Sequence, residues 1–520
     1  MPGAGQQASG TMHILLVHAE FPITYWGFQH ALALIDKRAS LPPLGLVTVA
    51  AHLPGDWPVR LVDLNVEPLH DAQLDWADAV LVGGMRIQAP SMHQVIARAK
   101  ARGRRVVVGG PAATTSPDEF QDADVVFCGE VEGREAELES AVLSSQPRVL
   151  AAGPRPDLGL TRVPRFDLLD LSAYTSMSVQ YSRGCPFHCE FCDIIEIFGR
   201  VPRVKPNASL LGELDSLHRL GWSGTVFIVD DNFIGNRRQV ATLLPELQAW
   251  QAARAWPLEF YTEASVDLAL APKLVDGMVQ AGFRSVFLGI ETASTDSLRE
   301  VGKTQNLRIA PQQAVETLAR AGLEVMAGFI VGFDNDDAAA LLQQRAFLSD
   351  APIPLAMVGL LTALPGTALW RRLEREGRLR TMGAGENFVR PNFTPRMDEE
   401  QLLDGYAQLL RWLYAPERYF ARCRAHLALT PILPQRVRKG GVRTGLLALW
   451  RLGVLSQRRV QFWRLLLAAI RRSPGLASWA VEKALQGEHL FRYTAEHLTP
   501  RMREAVDEVR REGQAMVVAA

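Results

Sequence analysis

The sequence predicts an α/β fold, with a doubly wound, Rossmann-like domain first, a partial (βα)6 barrel second and a helical region last. Short runs rich in Val and Leu alternate with helical stretches up to about Gly383, and this alternation then stops. A chain of 520 residues is too long for one ordinary core, and about one domain per 150 residues suggests three. We place the domains at residues 12–145, 165–375 and 384–520.

The first domain contains short runs that are apolar on both strand faces. Such strands belong to parallel sheets that helices cover on both sides, which favours the doubly wound arrangement. Three of the runs end in glycine, where a ligand can approach the backbone closely beyond the carboxyl ends of the strands. This edge is therefore the predicted ligand site of the domain. The runs are residues 12–18, 59–64, 79–84, 105–110 and 124–129.

A proline-containing loop at 145–164 is predicted to separate this domain from a second alternation of strands and helices. The second alternation contains six βα units, fewer than the eight of a closed barrel, and so predicts a partial parallel barrel. Its active site is expected at the carboxyl ends of the strands. The predicted strands are residues 177–182, 225–232, 258–265, 285–292, 324–333 and 354–364.

The region after Gly383 is predicted to be helical and carries an asymmetric charge. No acidic residue lies between Glu417 and Glu482, whereas thirteen Lys and Arg residues do, interleaved with Trp, Leu and Phe. This pattern is typical of interfacial helices on anionic lipid, where each basic residue contributes about 1 kcal/mol. An ordinary helical subdomain with solvated arginines is the alternative. The basic residues include Arg436, Arg438, Lys439, Arg458, Arg459, Arg471 and Arg472.

Composition narrows the class of protein and its compartment. With 48% hydrophobic and 22% charged residues and zero formal net charge, the chain is typical of globular proteins, and we expect no nucleic-acid partner. The opening residues MPGAGQQASGTM form no export signal and are expected to be a loose tail. Residues 351–370 carry no charge but contain prolines and glycines, so they predict a buried strand with loops and not a membrane span.

The cysteines also bear on the compartment. Three of the five fall within eight residues, which argues against a secreted disulfide framework. We therefore expect a cytoplasmic protein, with membrane association if the basic helices bind lipid.

The segment YSRGCPFHCEFCD places Cys185, Cys189 and Cys192 as C-x3-C-x2-C directly after the first barrel strand. Thiolates are the usual protein ligands of iron–sulfur clusters, and ligands this close in sequence can hold one cubane from a single loop. Three ligands leave a fourth iron open to the amine and carboxylate of a small cosubstrate. Zinc is the alternative, but structural zinc takes four ligands. His188 is the nearest fourth ligand, and its place between Cys185 and Cys189 makes ligation by all four cramped.

This motif in a partial (βα)6 barrel, with Phe191 just before the last cysteine, resembles the radical S-adenosylmethionine (SAM) superfamily over about residues 175–370. The resemblance implies a [4Fe–4S] cluster and reductive cleavage of SAM to a 5′-deoxyadenosyl radical that abstracts hydrogen from the substrate. It also implies an electron donor such as flavodoxin or ferredoxin.

Polar residues at the ends of successive barrel strands are the candidates for binding SAM. One acidic residue at a strand end is often only a helix cap, but such residues on several neighbouring strands together predict a site. The segment 328–334 is similar to the glycine-rich strand that lies along adenine in this superfamily. The candidates are Phe191, Asp230, Asp231, Asn232, Glu263, Ser265, Glu291 and Gly332.

An α/β domain before such a barrel resembles the cobalamin-binding module of a large subgroup of these enzymes. No G-x-G-x-x-G follows the first strand, which counts against a dinucleotide. The D-x-H-x-x-G signature is also absent, so the lower cobalt face is expected to be water or empty, and the nearby His93 is expected to be a surface residue. The candidate cobalamin contacts are Pro43, Gly45, Gly83, Gly84, Met85, Arg86, Gln88, Gly109, Gly110, Pro111, Gly129 and Glu130.

Residues 388–422 and 21–28 resemble the branch of cobalamin-binding radical SAM enzymes that includes the hopanoid C-2 and C-3 methylases. The resemblance implies a methyltransferase that places a methyl group on an unactivated carbon of a small molecule or a lipid, with one SAM as methyl source and a second as radical source. Two alternatives stay open. One is an oxidative cyclase that uses cobalamin for electron transfer, and the other is a non-enzymatic scaffold that carries zinc.

Overall fold

The structure is a computed structural model that describes residues 11–143, 146–381, 388–433 and 442–519. The chain divides into two units, one formed by Met1–Pro22 with Pro42–Asp170 and the other by Ile23–Leu41 with Leu171–Ala520. The sequence pattern did not anticipate that Ile23–Leu41 belongs to the second unit. The opening tail, the predicted domain limits at 145 and 384, and Arg436, Arg438 and Lys439 lie outside the described residues.

The first unit contains six parallel strands in the order β2-β1-β3-β4-β5-β6, which confirms the doubly wound prediction. Along β1, Leu15 and Val17 pack into one hydrophobic cluster while Ile14 and Leu16 pack into another. Both faces of the sheet are therefore covered, as the continuous apolar runs predict. The strands are β1 (Ile14–His18), β2 (Val59–Asp63), β3 (Ala79–Gly83), β4 (Arg105–Gly109), β5 (Val125–Phe127) and β6 (Arg148–Leu150).

Strand β6 lies where the sequence predicted only a linker. It pairs in parallel with β5, from Arg148 opposite Val125 to Leu150 opposite Phe127. A run of three residues is too short to show a strand period, so pairing with its neighbour, and not a local signal, makes it a strand. The helices of this unit are Leu44–His52, Asp71–Trp76, Ala89–Ala101, Pro111–Thr115 and Glu135–Leu143.

The second unit contains the six parallel strands of the predicted half-barrel, in the order β14-β13-β12-β11-β10-β7. The predicted first barrel strand is shorter than expected, because its end forms a separate antiparallel pair, β8 with β9. The strands are β7 (Ser176–Val179), β8 (Ser182–Arg183), β9 (Arg203–Val204), β10 (Gly224–Ile228), β11 (Leu258–Ala264), β12 (Phe283–Glu291), β13 (Glu324–Val331) and β14 (Ala356–Leu360).

One face of this sheet is packed under helices and the other is more open. Along β11, Phe260 and Thr262 are buried, while Tyr261 and Glu263 on the opposite face are only partly buried. We call this second face the concave face, because a curled sheet that does not close leaves its inner side accessible.

The remaining described residues of the second unit are mainly helical. Residues 351–370 contain the predicted buried strand, β14, followed by a loop and the start of a helix. No helix among the described residues is both long and apolar enough to span a bilayer. The helices are Gln29–Leu32, Ile194–Ile197, Asn207–Arg219, Arg237–Ala253, Pro272–Ala281, Thr295–Glu300, Pro311–Ala321, Ala338–Asp350, Ala368–Arg375, Glu399–Leu413, Pro416–Leu429, Val442–Trp450, Arg459–Arg472, Ala477–Tyr493 and Thr499–Ala519.

Candidate functional site

The cysteine loop begins at a glycine that no other residue could replace without strain. Gly184 has φ +97°, and a Cβ there would lie 2.7 Å from the carbonyl oxygen of Gly199. That separation is shorter than a van der Waals contact, so the backbone of the loop would have to move. The glycine lets the chain turn tightly after β8 and directs the next residues, from Cys185 onward, along the carboxyl edge of the barrel sheet.

The structure brings Cys185, Cys189 and Cys192 together as three free thiols. Burial raises the pKa of Cys185 and Cys192, and the neighbouring cysteine sulfurs raise them further. Side-chain amides point at two sulfurs: the Asn232 Nδ2 lies 4.0 Å from the Cys185 Sγ, and the Gln305 Nε2 lies 3.6 Å from the Cys189 Sγ. Amide donors of this kind would stabilise thiolates bound to iron.

The number of ligands distinguishes a cluster from a zinc site. Structural zinc takes four protein ligands. Among the residues that the structure describes, the three cysteines do not form a group of three or more ligand residues whose ligand atoms all lie within 4.8 Å of one another. His188, the nearest fourth ligand, is exposed. Three thiolates match the three protein-bound corners of a cubane.

Two of the candidate SAM residues, Asp230 and Asp231, hold the chain that leads into the cysteine loop. The Asp230 carboxylate accepts hydrogen bonds from the Tyr181 N–H at 2.7 Å and from both the N–H and the hydroxyl of Ser182, at 2.9 and 2.7 Å. The Asp231 carboxylate accepts one from the Gly184 N–H at 3.2 Å. Burial raises the pKa of Asp230 to about 6 and that of Asp231 to about 7. A contact of either with SAM stays a prediction.

The ends of β10 and β11 carry three further candidate residues. Asn232 follows β10, and Glu263 and Ser265 lie at the end of β11. Asn232 and Ser265 bond each other twice, and the Ser265 hydroxyl donates to Asp267 at 2.6 Å, so these side chains form one connected network. Glu263 faces the concave side, where burial, together with the nearby carboxylates of Asp231 and Glu291, raises its pKa to about 8. Such a carboxyl group would be stabilised by a cationic or hydrogen-bonding ligand.

Lys303 is a site residue that the sequence did not reveal. Its ammonium group is buried and forms an ion pair with Glu291, which stands at a β-bulge with φ +67°. Burial alone would lower the pKa of Lys303, but Glu291 and the sulfurs of Cys189 and Cys192 raise it overall. The Phe191 ring centroid lies 5.7 Å from the ammonium nitrogen. The lysine therefore brings a positive charge beside the cysteines.

Gly332 and a second charged cluster complete this edge. The Gly332 N–H donates to the Asp336 carboxylate at 2.9 Å, which fixes the turn after β13. Within the cysteine loop, the Glu190 carboxylate accepts two hydrogen bonds from Arg372, at 2.6 and 3.1 Å, and Arg372 also bonds Asp334 at 2.7 Å. Arg372 was missed because its helix lies far along the chain, with no nearby motif to mark it.

In the first unit, the predicted ligand edge lies where the strand order reverses. β1 has β2 on one side and β3 on the other, so the chain changes direction across the sheet at β1 and β3. Open parallel sheets bind ligands at such a point, beyond the carboxyl ends of the strands. Gly110 has φ +91°, and a Cβ there would stand 3.4 Å from the Gly84 carbonyl oxygen, so the two turns approach closely.

The candidate cobalamin residues gather at this edge. Pro43 caps the helix that begins at Leu44, and a Cβ on Gly45 would meet no atom within 4 Å, which leaves space beside that turn. Met85 is 53% exposed. The remaining candidates follow the same strand ends, at the turns after β3, β4 and β5. They are Gly83, Gly84, Arg86, Gln88, Gly109, Pro111, Gly129 and Glu130.

Several polar side chains at this edge form hydrogen bonds or ion pairs within the protein. Arg86 pairs with Glu119 at 2.7 Å, and the buried Gln88 donates to the Ala19 carbonyl. His18, at the end of β1, bonds Asp63 at 3.1 Å and was not singled out from the sequence. His93 is 39% exposed in its side chain and pairs with Asp122, as expected of a surface residue. Small residues and an open edge are compatible with a large planar ligand such as a corrin ring.

Comparison with known proteins identifies a known family of domains in each unit. Residues 33–139 match the model of a B12 binding domain, residues 179–343 that of the radical SAM superfamily, and residues 367–501 a domain of unknown function. An uncharacterized methyltransferase of Synechocystis sp. is 41% identical over 93% of this chain and 92% of its own length. The hopanoid C-2 methylase of Rhodopseudomonas palustris is 34% identical over 88% of this chain and 89% of its own length.

A solved structure shares the fold. The cobalamin-dependent SAM radical enzyme OxsB, with aqua-cobalamin and SAM bound, superposes with a TM-score of 0.60 at 15% identity, covering 97% of this chain and 84% of that one. The half-barrel and the preceding α/β unit therefore correspond in architecture to a protein that holds both ligands.

Proposed function

This chain belongs to the cobalamin-binding radical SAM methyltransferases, and we propose that it methylates an unactivated carbon of a hopanoid or a similar polycyclic lipid. The enzyme uses a [4Fe–4S] cluster, SAM and cobalamin. The observation that carries the choice of substrate is the aromatic, apolar lining of the concave face. The similarity to a hopanoid C-2 methylase over nearly the whole chain supports the same choice.

Aromatic side chains lie on the concave face. Phe227 and Tyr261 stack with ring centroids 4.5 Å apart and planes within 3°, and the Trp26 ring packs edge-on against Phe287 at 5.1 Å. Met326 continues this surface on β13. Flat, rigid aromatic walls of this kind match a rigid hydrocarbon, which gains roughly 25 cal/mol for each Å² of apolar surface removed from water.

We assign different roles to different groups of residues. When bound, the cofactors supply the reducing electron, the radical and the methyl carrier. We assign the cluster to Cys185, Cys189 and Cys192, and SAM to the rim residues around Glu263 and Asn232. Lys303 would keep positive charge beside the thiolates, which favours their deprotonated, iron-binding form. The first unit would hold cobalamin at its glycine-lined edge.

Product analysis tests the reaction. The reconstituted enzyme, given SAM, cobalamin, a reductant and the polycyclic lipid, should form one S-adenosylhomocysteine and one 5′-deoxyadenosine for each product that has gained a CH2 unit. A deletion strain should lack the methylated lipid. Deoxyadenosine formed with a product that gained no CH2 unit would overturn the proposal and indicate a ring-forming enzyme instead.

A pair of substitutions on opposite faces of the barrel sheet tests the substrate class. Tyr261→Leu removes half of the aromatic stack and should raise the KM for the lipid roughly fivefold, because such a contact contributes about 1 kcal/mol beyond its area. Phe283→Leu is the matched control, since Phe283 is fully buried on the helix-covered face. It should lower stability and leave KM unchanged. Equal KM values for the two variants would contradict the lipid site.

We propose that the electron donor docks beside the cysteine loop. The loop residues Pro186 and Phe187 line an open cleft together with three arginines and one aspartate. They are Arg237, Arg238, Arg308 and Asp267, and Asp267 pairs with Arg237 and Arg308. An acidic protein such as flavodoxin or ferredoxin would complement this basic surface. Arg238→Glu should slow cluster reduction by such a donor and weaken its dependence on salt. Arg219→Glu, at an exposed helix end away from this cleft, should not change either.

We also propose that the protein works in the cytoplasm, attached to the membrane surface by its basic helices. Helix Val442–Trp450, the turn Arg451–Leu455 and helix Arg459–Arg472 expose large apolar side chains in a segment rich in arginine, an arrangement expected of helices that lie in a lipid interface. The exposed residues are Leu446, Trp450, Val454, Leu455, Val460, Trp463, Leu467 and Ile470.

Vesicle sedimentation tests this attachment. The full chain should bind vesicles that contain anionic phosphatidylglycerol, bind pure phosphatidylcholine much less, and be released by salt. Replacing Trp450 and Trp463 together by serine should abolish most of the binding. Leu342→Ser, which alters an equally exposed apolar residue on another helix, is the control. Binding that depends neither on lipid charge nor on the two tryptophans would refute the proposal.

A further inference from the structure

A second candidate metal site lies in the second unit, outside the cysteine loop. His30, Glu496 and His497 have their ligand atoms within 4.8 Å of one another. His30 belongs to the short helix Gln29–Leu32, whereas Glu496 and His497 belong to a π-helical turn, Thr494–Leu498. Such π-helical turns inside longer helices are rare and often mark functional sites, because they turn adjacent side chains toward a common point.

The two imidazoles each leave a ring nitrogen without a partner. The Nε2 atoms of His30 and His497 are buried, and neither has a hydrogen-bond partner. A buried polar atom left in this state costs about 1–3 kcal/mol, so these two nitrogens favour an additional partner. The rings lie side by side, with centroids 5.5 Å apart and planes 27° apart.

A neighbouring histidine fixes the segment that carries His30. The His489 Nε2 donates to the Thr24 carbonyl at 2.8 Å, while the His489 Nδ1 accepts the backbone N–H of His30 at 3.4 Å. These two bonds position the backbone from which the His30 ring projects.

We propose that His30, Glu496 and His497 bind one divalent transition-metal ion, with zinc as the representative ion. Two imidazoles and a carboxylate are a common zinc ligand set, and three protein ligands leave a fourth position for water. Glu496 also accepts hydrogen bonds from Arg492, at 2.9 and 3.1 Å. Its carboxylate has further lone pairs for a metal, but this competing cation predicts moderate rather than very tight binding.

The ion would cross-link two distant segments of the second unit. It would join the segment Ile23–Leu41 to a turn more than 450 residues later in the chain. An ion that binds the folded chain and not the unfolded chain stabilises the fold by mass action. This role is independent of the methyl transfer proposed above, and the two can fail separately.

Zinc stoichiometry and stability test the site in the holoenzyme. Anaerobic protein with its cluster assembled, so that the cysteines are occupied, should retain one zinc per chain in equilibrium dialysis against free zinc and show a higher Tm with zinc than with a chelator. His497→Gln and Glu496→Gln should lose both effects while keeping iron content. The two variants alter partly exposed positions, so at least one should fold if His30→Gln does not.

A histidine elsewhere provides the control. His93→Gln changes a surface histidine of the first unit and should keep both the zinc and the stability gain. Wild-type protein that retains no zinc, or variants that retain it as well as the wild type does, would overturn the proposal.

Discussion

The anchoring of the cysteine loop by Arg372 allows a sharp test. The guanidinium group bonds both oxygens of Glu190, which stands between Cys189 and Phe191 in the loop, and it also bonds Asp334. Arg372→Met keeps much of the side-chain length but removes all of these bonds. The Glu190 carboxylate, 17% exposed, would then lie partly buried without its guanidinium partner.

The size of the effect follows from these contacts. Hydrogen bonds to charged groups contribute roughly 1.5–3 kcal/mol each when buried, and partial exposure of this pair reduces that value. Asp334 keeps Arg378, which bonds it at 2.6 Å, so the loss falls mainly on Glu190. We expect a loss of about 2 kcal/mol in the free energy of unfolding, and a Tm lower by roughly 3 °C for a unit of this size.

The assay compares two neighbouring arginines. The Tm of thermal unfolding and the iron content per chain should both be lower in Arg372→Met than in the wild type. In Arg371→Met they should change little, because Arg371 is 54% exposed and pairs with the half-exposed Glu196, and surface pairs contribute at most about 1 kcal/mol. If the two variants have the same Tm and the same iron content, Arg372 does not anchor the loop.

Three further substitutions test other parts of the site and fold. Cys185→Ser should abolish the optical and EPR signals of the cluster after anaerobic reconstitution, whereas Cys128→Ser, in the first unit, should keep them. Gly184→Ala should lose iron and lower the free energy of unfolding by about 2 kcal/mol, through backbone strain and the short contact that its Cβ would make. Gly212→Ala, in an open helical position, is the control and should be neutral or slightly stabilising in denaturant unfolding. Gln251→Leu should cost about 2 kcal/mol in denaturant unfolding, because its buried amide satisfies the backbone at the start of β11; an unchanged midpoint would contradict that role.

Several features of the site could be predicted because their signal is local. The spacing of Cys185, Cys189 and Cys192 lies within one loop, and the strand runs of both parallel sheets show continuous apolar patterns that the observed strands follow. The glycines at the ends of β3 and β4 lie at one edge, as parallel strands require. These features depend on neighbours in the chain, which a sequence displays directly.

Other parts could not be predicted for a physical reason. Strand β6 is three residues long and exists through its pairing with β5. Gln305 reaches the Cys189 sulfur from a segment more than 100 residues away, and nothing in its own surroundings in the chain marks it. The bonds from the Asp230 carboxylate to the backbone before the cysteine loop were also not predicted, and its contact with SAM stays a prediction.

The sequence by itself determined the chemistry and the layers of this protein. Residue types at fixed short spacing define a three-thiolate loop, and hydrophobic periods define parallel strands, because both follow from local geometry. Only the tertiary structure decided which distant charges surround the thiols, that Ile23–Leu41 belongs with the barrel unit, and that two histidines and a glutamate meet. Those outcomes depend on which segments approach once chain entropy has been overcome by burial, and no local pattern encodes that approach.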